Sequence, residues 1–127
     1  MEKYAWKATV KKGCIEEYIR RHNNLPEDMK DLLTQAGIYN YTIWNVGNEL
    51  FGYYECKKGV DFAAKTQAES AVVKKWDEYM SDILIMEKDP VTGALFYDLC
   101  KHGKWHKIQN GNRAGKSQGC LLPIIAY

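Results

Sequence analysis

A tyrosine and a histidine four residues apart are the side chains in this sequence best suited to acid/base chemistry. Tyr18 and His22 lie in the segment Tyr-Ile-Arg-Arg-His-Asn, and His22 is the only histidine before residue 102. On a helix this spacing puts the phenol and the imidazole on one face, one turn apart. Ile15 and Ile19 share that face, so both rings should point inward. Since imidazole exchanges protons near pH 7, the pair predicts either a general acid/base over a ligand or a core histidine satisfied by its neighbours.

Three further side chains are candidates for holding a polar ligand. Trp76 falls on the inward stripe of a predicted helix, with Asp77 at a neighbouring angle. An indole can stack on the C–H face of a sugar while a carboxylate accepts its hydroxyls, which favours a carbohydrate site. The alternative is that Trp76 is core and Asp77 a solvated rim residue. Tyr39 and Tyr41 should share one face of a strand, so Tyr41 either lines a pocket or only covers the sheet.

Periodicity predicts the elements that position these residues. Mixed β-branched and aromatic segments predict strands over residues 4–10, 39–45, 49–55 and 94–100. Apolar residues spaced by three and four predict helices over residues 14–22, 26–36 and 70–84, and a short one near 61–65. The order is β-α-β-β-α-β with the first α in two pieces, which is typical of a ferredoxin-like α+β fold. We therefore expect a four-stranded antiparallel sheet with helices on one face, whose other face is commonly covered by dimerisation.

Charge and length divide the chain into two parts. The 127 residues suit one domain with a real core, and 46% of them are hydrophobic. Residues 1–100 hold all 16 acidic residues and 13 of the 18 basic ones, whereas residues 101–127 hold five basic residues and no acidic one. We predict a mildly acidic domain over 1–100 and a basic tail over 101–127, flexible or loosely docked. The acidic domain argues against nucleic-acid binding.

Other chemistries find little support in the sequence. The four cysteines (14, 56, 100 and 120) are widely spaced, and no secretory leader or membrane-length apolar run is evident, which predicts a cytoplasmic protein with reduced thiols and no membrane contact. His102 and His106 have the spacing of helical zinc ligands, but Gly103 disfavours a helix between them. Nucleotide-binding, serine-hydrolase and zincin motifs are absent. We expect no metal and no cofactor.

Taken together, the motifs resemble those of the L-rhamnose mutarotase family. The resemblance is carried by the segment 18–23, by Pro-Glu-Asp-Met at 26–29, by Asn-Tyr-Thr-Ile at 40–43 and by Trp-Asp-Glu-Tyr-Met-Ser-Asp at 76–82. It is collinear over about residues 3 to 99. It implies a dimeric ferredoxin-like α+β-barrel fold and a cytoplasmic enzyme that needs no metal or nucleotide. The reaction it implies is interconversion of the α and β anomers of L-rhamnose.

The resemblance also implies roles for individual residues. His22 matches the family's proton donor, and Tyr18, Tyr41 and Trp76 match positions that bind the sugar. The chain departs from the family pattern at Asp77, where the family usually has a second tryptophan, and at residue 25, where a leucine replaces a tryptophan. These departures bear on the identity of the sugar, and Asp77 is a candidate to bind a hydroxyl.

The sequence therefore predicts a homodimeric mutarotase for L-rhamnose or a closely related deoxy-sugar. The reaction needs one proton removed from the anomeric hydroxyl and one delivered to the ring oxygen, which a single acid/base can do without a cofactor. The alternative is a non-catalytic or monooxygenase-like dimeric α+β module that binds a small ligand, since fold does not fix function.

Overall fold

Antiparallel strands and four principal helices alternate along the chain in the predicted order. The computed structural model describes residues 2–85, 89, 96–102 and 125–126. The strands are β1 (Glu2–Thr9), β2 (Ile38–Val46), β3 (Glu49–Cys56), β4 (Tyr97–Asp98) and β5 (Ile125–Ala126). The helices are α1 (Ile15–Asn23), α2 (Glu27–Gln35), α3 (Val60–Ala68), α4 (Ala71–Met80) and α5 (Leu99–His102).

The sheet has the strand order β4-β1-β3-β2-β5, and every pairing is antiparallel. Its first four strands have the order of a ferredoxin-like sheet, which confirms the predicted α+β fold. The two-residue strand β5 lengthens the sheet beside β2. Residues 103–124 lie outside the described residues, so the division of the chain at residue 100 stays a prediction.

One face of the sheet carries the core. Buried side chains from β1, β2 and β3 form a single cluster with buried residues of α1, α2, α3 and α4. Glycine ends α2 as predicted, because Gly37 adopts φ +76° and its N–H donates to the carbonyl of Thr34. Ser70 begins α4, its hydroxyl accepting from the N–H groups of Val72 and Val73 at 3.1 and 3.4 Å.

Helix α4 and the last strand are shorter than predicted, whereas α3 (Val60–Ala68) is longer than the short helix predicted near residues 61–65. Helix α4 ends at Met80, not near Leu84, because the chain then joins the edge of β1. Leu84 forms a bridge to Val10, and the N–H of Ile85 donates to the carbonyl of Thr9. The last strand spans only Tyr97–Asp98 within the described residues, and the chain enters α5 directly after it.

A β-bulge in β2 overturns the prediction that Tyr39 and Tyr41 share a face. Tyr39 pairs with Glu55, but Thr42 pairs with Tyr53, so β2 contains one extra residue between them. Asn40 lies in the bulge at φ +50°, and its side-chain amide donates to Glu55 Oε1 at 2.8 Å. A bulge reverses the alternation of side chains along a strand. Tyr39 therefore lies on the outer face, whereas Tyr41 turns towards the core.

Candidate active site

Tyr18 and His22 occupy the buried face of α1, as their spacing predicts. Only 2% of Tyr18 and 9% of His22 is exposed. Their rings stack with centroids 4.1 Å apart and an angle of 29° between planes. Nδ1 of His22 lies 3.0 Å from the backbone carbonyl oxygen of Tyr18, one helical turn back. The helix thus fixes the imidazole both by stacking and by a hydrogen bond.

This hydrogen bond settles which nitrogen of His22 is available for chemistry. A carbonyl oxygen can only accept, so Nδ1 carries the proton and Nε2 keeps its lone pair in the neutral ring. Within the described part of the chain, no side chain or backbone group is hydrogen-bonded to Nε2. Burial lowers the pKa of His22 to about 4, although the bond to the Tyr18 carbonyl acts in the opposite direction. At neutral pH the residue is an uncharged base.

All five predicted site residues line one cavity. The cavity contains about 660 Å³ of space free of protein atoms, a volume that includes open solvent at its mouth. Its walls hold Tyr18, His22, Tyr41, Trp76 and Asp77. The structure therefore brings together residues from α1, β2 and α4 that are up to 59 positions apart in sequence.

The aromatic walls of this cavity are ordered by their contacts with one another. Trp76 meets His22 edge to face, with ring centroids 5.3 Å apart and planes at 86°. The hydroxyl of Tyr41 accepts a hydrogen bond of 3.0 Å from the indole N–H of Trp6. Burial raises the pKa of both Tyr18 and Tyr41, so both phenols stay protonated at neutral pH.

Among the residues that the structure describes, Asp77 contributes the single carboxylate in the lining of this cavity. The side chain is half-buried, and this burial alone raises its pKa above the ordinary value. Among the described residues, none forms a hydrogen bond or ion pair with the carboxylate. Removing a polar group from water without a partner costs free energy, so the position favours a ligand that supplies the missing donors.

Sequence reasoning missed Trp6 and Phe96, which complete the wall beside Tyr41. Their rings stack with centroids 4.6 Å apart. Trp6 lies directly over Gly52, its cross-strand partner, where an added Cβ would stand 2.1 Å from Trp6 Cε2. Only glycine at that position lets the indole lie flat on the sheet. The pairing depends on strand register, which no local sequence pattern indicates.

Arg21 lies beside the cavity residues, although no sequence pattern singled it out. It is buried beside His22, and its guanidinium forms hydrogen bonds of 2.8 and 3.2 Å with both carboxylate oxygens of Asp82. It also donates to Glu17 at 2.7 Å and to the backbone carbonyl of Tyr79 at 2.8 Å. These bonds fasten α1 to the end of α4, and so hold His22 in position relative to Trp76.

A protein-family comparison matches residues 3–99 to the model described as L-rhamnose mutarotase. The chain belongs to the L-rhamnose mutarotase family. Relatives named L-rhamnose mutarotase include one from Lachnoclostridium phytofermentans, 38% identical over 99 residues, and one from Phocaeicola vulgatus, 31% identical over 98 residues. Each alignment covers 75% of this chain and 93% of the relative.

A solved structure supports the same assignment. The crystal structure of an L-rhamnose mutarotase from Formosa agariphila superposes with a TM-score of 0.67 at 26% identity, covering 86% of this chain and 100% of the other. The predicted family and fold are confirmed. Membership of the L-rhamnose mutarotase family makes the chain a mutarotase of the isomerase class, and the alternative of a non-catalytic or monooxygenase-like module is not favoured.

Two kinds of structural feature are absent from the described residues. These residues contain no set of three or more His, Cys, Asp or Glu side chains arranged to hold a metal ion. His106, which with His102 has the spacing of zinc ligands, lies outside the described residues. Among the described helices, none has the length and apolar character needed to cross a membrane.

Proposed function

We propose that this protein interconverts the α and β anomers of L-rhamnose or a closely related deoxy-sugar, with His22 as the acid/base. The observation that carries the proposal is a neutral imidazole whose Nδ1–H is bonded to the Tyr18 carbonyl, inside a cavity walled by aromatic rings. Its Nε2 is thereby left for the substrate. The names of the relatives, L-rhamnose mutarotase, supply the sugar class.

The reaction is balanced by one proton that leaves and returns. Nε2 of His22 accepts the proton of the anomeric hydroxyl, while the bond between C1 and the ring oxygen breaks and its electron pair goes to that oxygen. The imidazolium then donates a proton to the ring oxygen, which gives the open-chain aldehyde. Rotation about C1–C2 and the reverse transfers produce the other anomer. Since both oxygens are bonded to C1, one nitrogen can serve each in turn.

The other four residues hold the sugar over His22. Trp76 presents an indole edge and face beside the imidazole for the C–H groups of the ring. The protonated phenols of Tyr18 and Tyr41 are suited to orient hydroxyls near the reacting atoms. The Asp77 carboxylate accepts hydrogen bonds from sugar hydroxyls, since it has no partner in the described part of the chain. None of these groups needs a metal or an organic cofactor to act.

Anomer exchange measured by two-dimensional exchange NMR on L-rhamnose tests the assignment. We expect His22→Ala to lower catalysed exchange by about 10²–10⁴-fold, the usual contribution of a general acid/base, while the far-ultraviolet circular dichroism stays unchanged. Glu16 lies on the exposed side of α1 and does not line the cavity, so Glu16→Ala is a control on the same helix and should retain full activity. Full exchange by a folded His22→Ala variant would contradict the proposal.

We also propose that the protein is a cytoplasmic homodimer joined through the outer face of its sheet. Phe51 and Tyr97 lie in one cross-strand row on either side of Lys7, and they are 37% and 41% exposed. Val46, further along the same sheet, is 70% exposed. A second copy would remove this apolar surface from water. The free thiols of Cys14, Cys56 and Cys100 are consistent with a reducing compartment.

A further inference from the structure

A second cavity adjoins the one at His22. It contains about 1,080 Å³ of space free of protein atoms, including its open side. The two cavities share Trp6, Tyr41, Gln67, Val73, Asp77 and Phe96 in their linings. Because they share these side chains, the two cavities are direct neighbours. Tyr18, His22 and Trp76 do not line the second cavity, so a monosaccharide held at these three residues leaves it unused.

A row of three tyrosines runs from the first cavity into the second. The ring of Tyr41 lies 4.9 Å from that of Tyr54, which in turn lies 5.2 Å from that of Tyr4. Tyr41 lines both cavities, whereas Tyr54 and Tyr4 line only the second. A tyrosine has an apolar ring face and a polar hydroxyl. Linked sugar rings likewise combine apolar C–H faces with polar hydroxyls, so the row of tyrosines suits them as a ligand.

Polar side chains lie where the two cavities adjoin and along the wall of the second cavity. The Asp77 carboxylate borders both cavities and has no partner in the described part of the chain. Lys74 lies three residues earlier on α4 and lines the second cavity, so acceptor and donor lie one turn apart on the same helix. Among the described residues, Lys74 forms no ion pair. Gln67 and Ser70 add an amide and a hydroxyl to this wall.

We infer that the second cavity is a subsite for another sugar residue, and that the preferred substrates are reducing disaccharides. The reducing residue would present its anomeric carbon to His22, and the second residue would lie along Tyr54 and Tyr4. Asp77 would accept hydroxyls where the two residues meet. The inference rests on the proposed mutarotase function, because only a sugar with a free anomeric carbon can react at His22.

The test compares anomer exchange of L-rhamnose with that of a rhamnose disaccharide that has a free reducing end. The rate of anomer exchange at the reducing residue is measured by NMR with the full-length protein, and the spontaneous rate is subtracted. We expect kcat/KM for the disaccharide to be at least as high as for the monosaccharide. Ala68 is exposed and lines only the second cavity, so Ala68→Trp should fill it. This variant should lower kcat/KM for the disaccharide by about tenfold or more and leave the monosaccharide unchanged.

Ala71→Trp is the matched control, because Ala71 is exposed on the adjacent helix and lines neither cavity. This variant should leave kcat/KM unchanged for both substrates. Catalysed exchange of the monosaccharide but not the disaccharide would overturn the second subsite and leave the mutarotase proposal standing. Equal decreases in kcat/KM for both substrates in Ala68→Trp would also overturn the second subsite. Exchange of neither substrate by the unmodified protein would overturn the mutarotase proposal itself, and the subsite with it.

Discussion

The buried, neutral state of His22 makes a quantitative prediction about acid stability. The fall in its pKa from 6.5 to about 4 corresponds to about 3 kcal/mol, at about 1.4 kcal/mol for each tenfold change in a protonation equilibrium. Between these two pH values the unfolded chain binds a proton at His22 and the folded protein does not. Stability due to this residue therefore rises with pH across that window, and it is lost as pH falls from about 6.5 to about 4.

Urea unfolding at pH 7, 5.5 and 4.5 measures this effect when the parent protein is compared with His22→Gln. Glutamine does not titrate, so the variant loses only the contribution of His22 to the pH dependence of stability. The contributions of all other titrating groups remain. We expect the free energy of unfolding of the parent to fall relative to the variant by about 2–3 kcal/mol between pH 7 and 4.5. If the difference in free energy of unfolding between the two proteins does not depend on pH, His22 is not a buried neutral imidazole.

The same pKa sets the pH dependence of catalysis. Because the base must be unprotonated, kcat/KM for anomer exchange, corrected for the spontaneous reaction, should stay level from pH 8 to about 5 and fall tenfold per pH unit below about 4. A midpoint near 6.5, the value of an exposed histidine, would contradict the environment described for His22.

Three further predictions concern the groups that support the site. Gly52→Ala should lower the free energy of unfolding by about 1–3 kcal/mol, measured by urea denaturation, because its Cβ would overlap Trp6; an unchanged midpoint would contradict this. Arg21→Met should lower stability by about 1–3 kcal/mol and also reduce kcat, since it frees α1 from Asp82; loss of stability with kcat intact would refute its positioning role. Phe51→Asp should give a monomer by sedimentation velocity, and a persistent dimer would exclude the outer face as the interface.

Local sequence patterns predicted the parts of the site that depend on local geometry. The spacing of Tyr18 and His22 is a property of one helix, so helical periodicity was enough to place both rings inward. Trp76 and Asp77 followed in the same way from the stripe on α4. The end of α4 could not be predicted, because the chain leaves the helix to pair with Thr9 and Val10, which are distant in sequence.

Contacts between residues distant in sequence account for what the sequence left out. The stacking of Trp6 over Gly52 requires the register of β1 against β3, which no local pattern contains. The bond from Arg21 to Asp82 joins residues 61 positions apart. The sequence showed both residues but not that they meet. Family resemblance supplied the roles of the residues, and the structure supplied the reasons for their positions.

The extra residue in β2 has a consequence for how this strand can change in length. Alternation along a strand has a period of two, and the bulge at Asn40 offsets it by one so that Ile38, Tyr41 and Ile43 all face inward. Deleting Asn40 would restore simple alternation with Tyr41 opposite Tyr54, and the same three side chains would still face inward. The bulge is therefore a place where β2 can lose one residue without turning Tyr41 away from the cavity. What such a deletion removes is the hydrogen bond from Asn40 to Glu55 on the outer face.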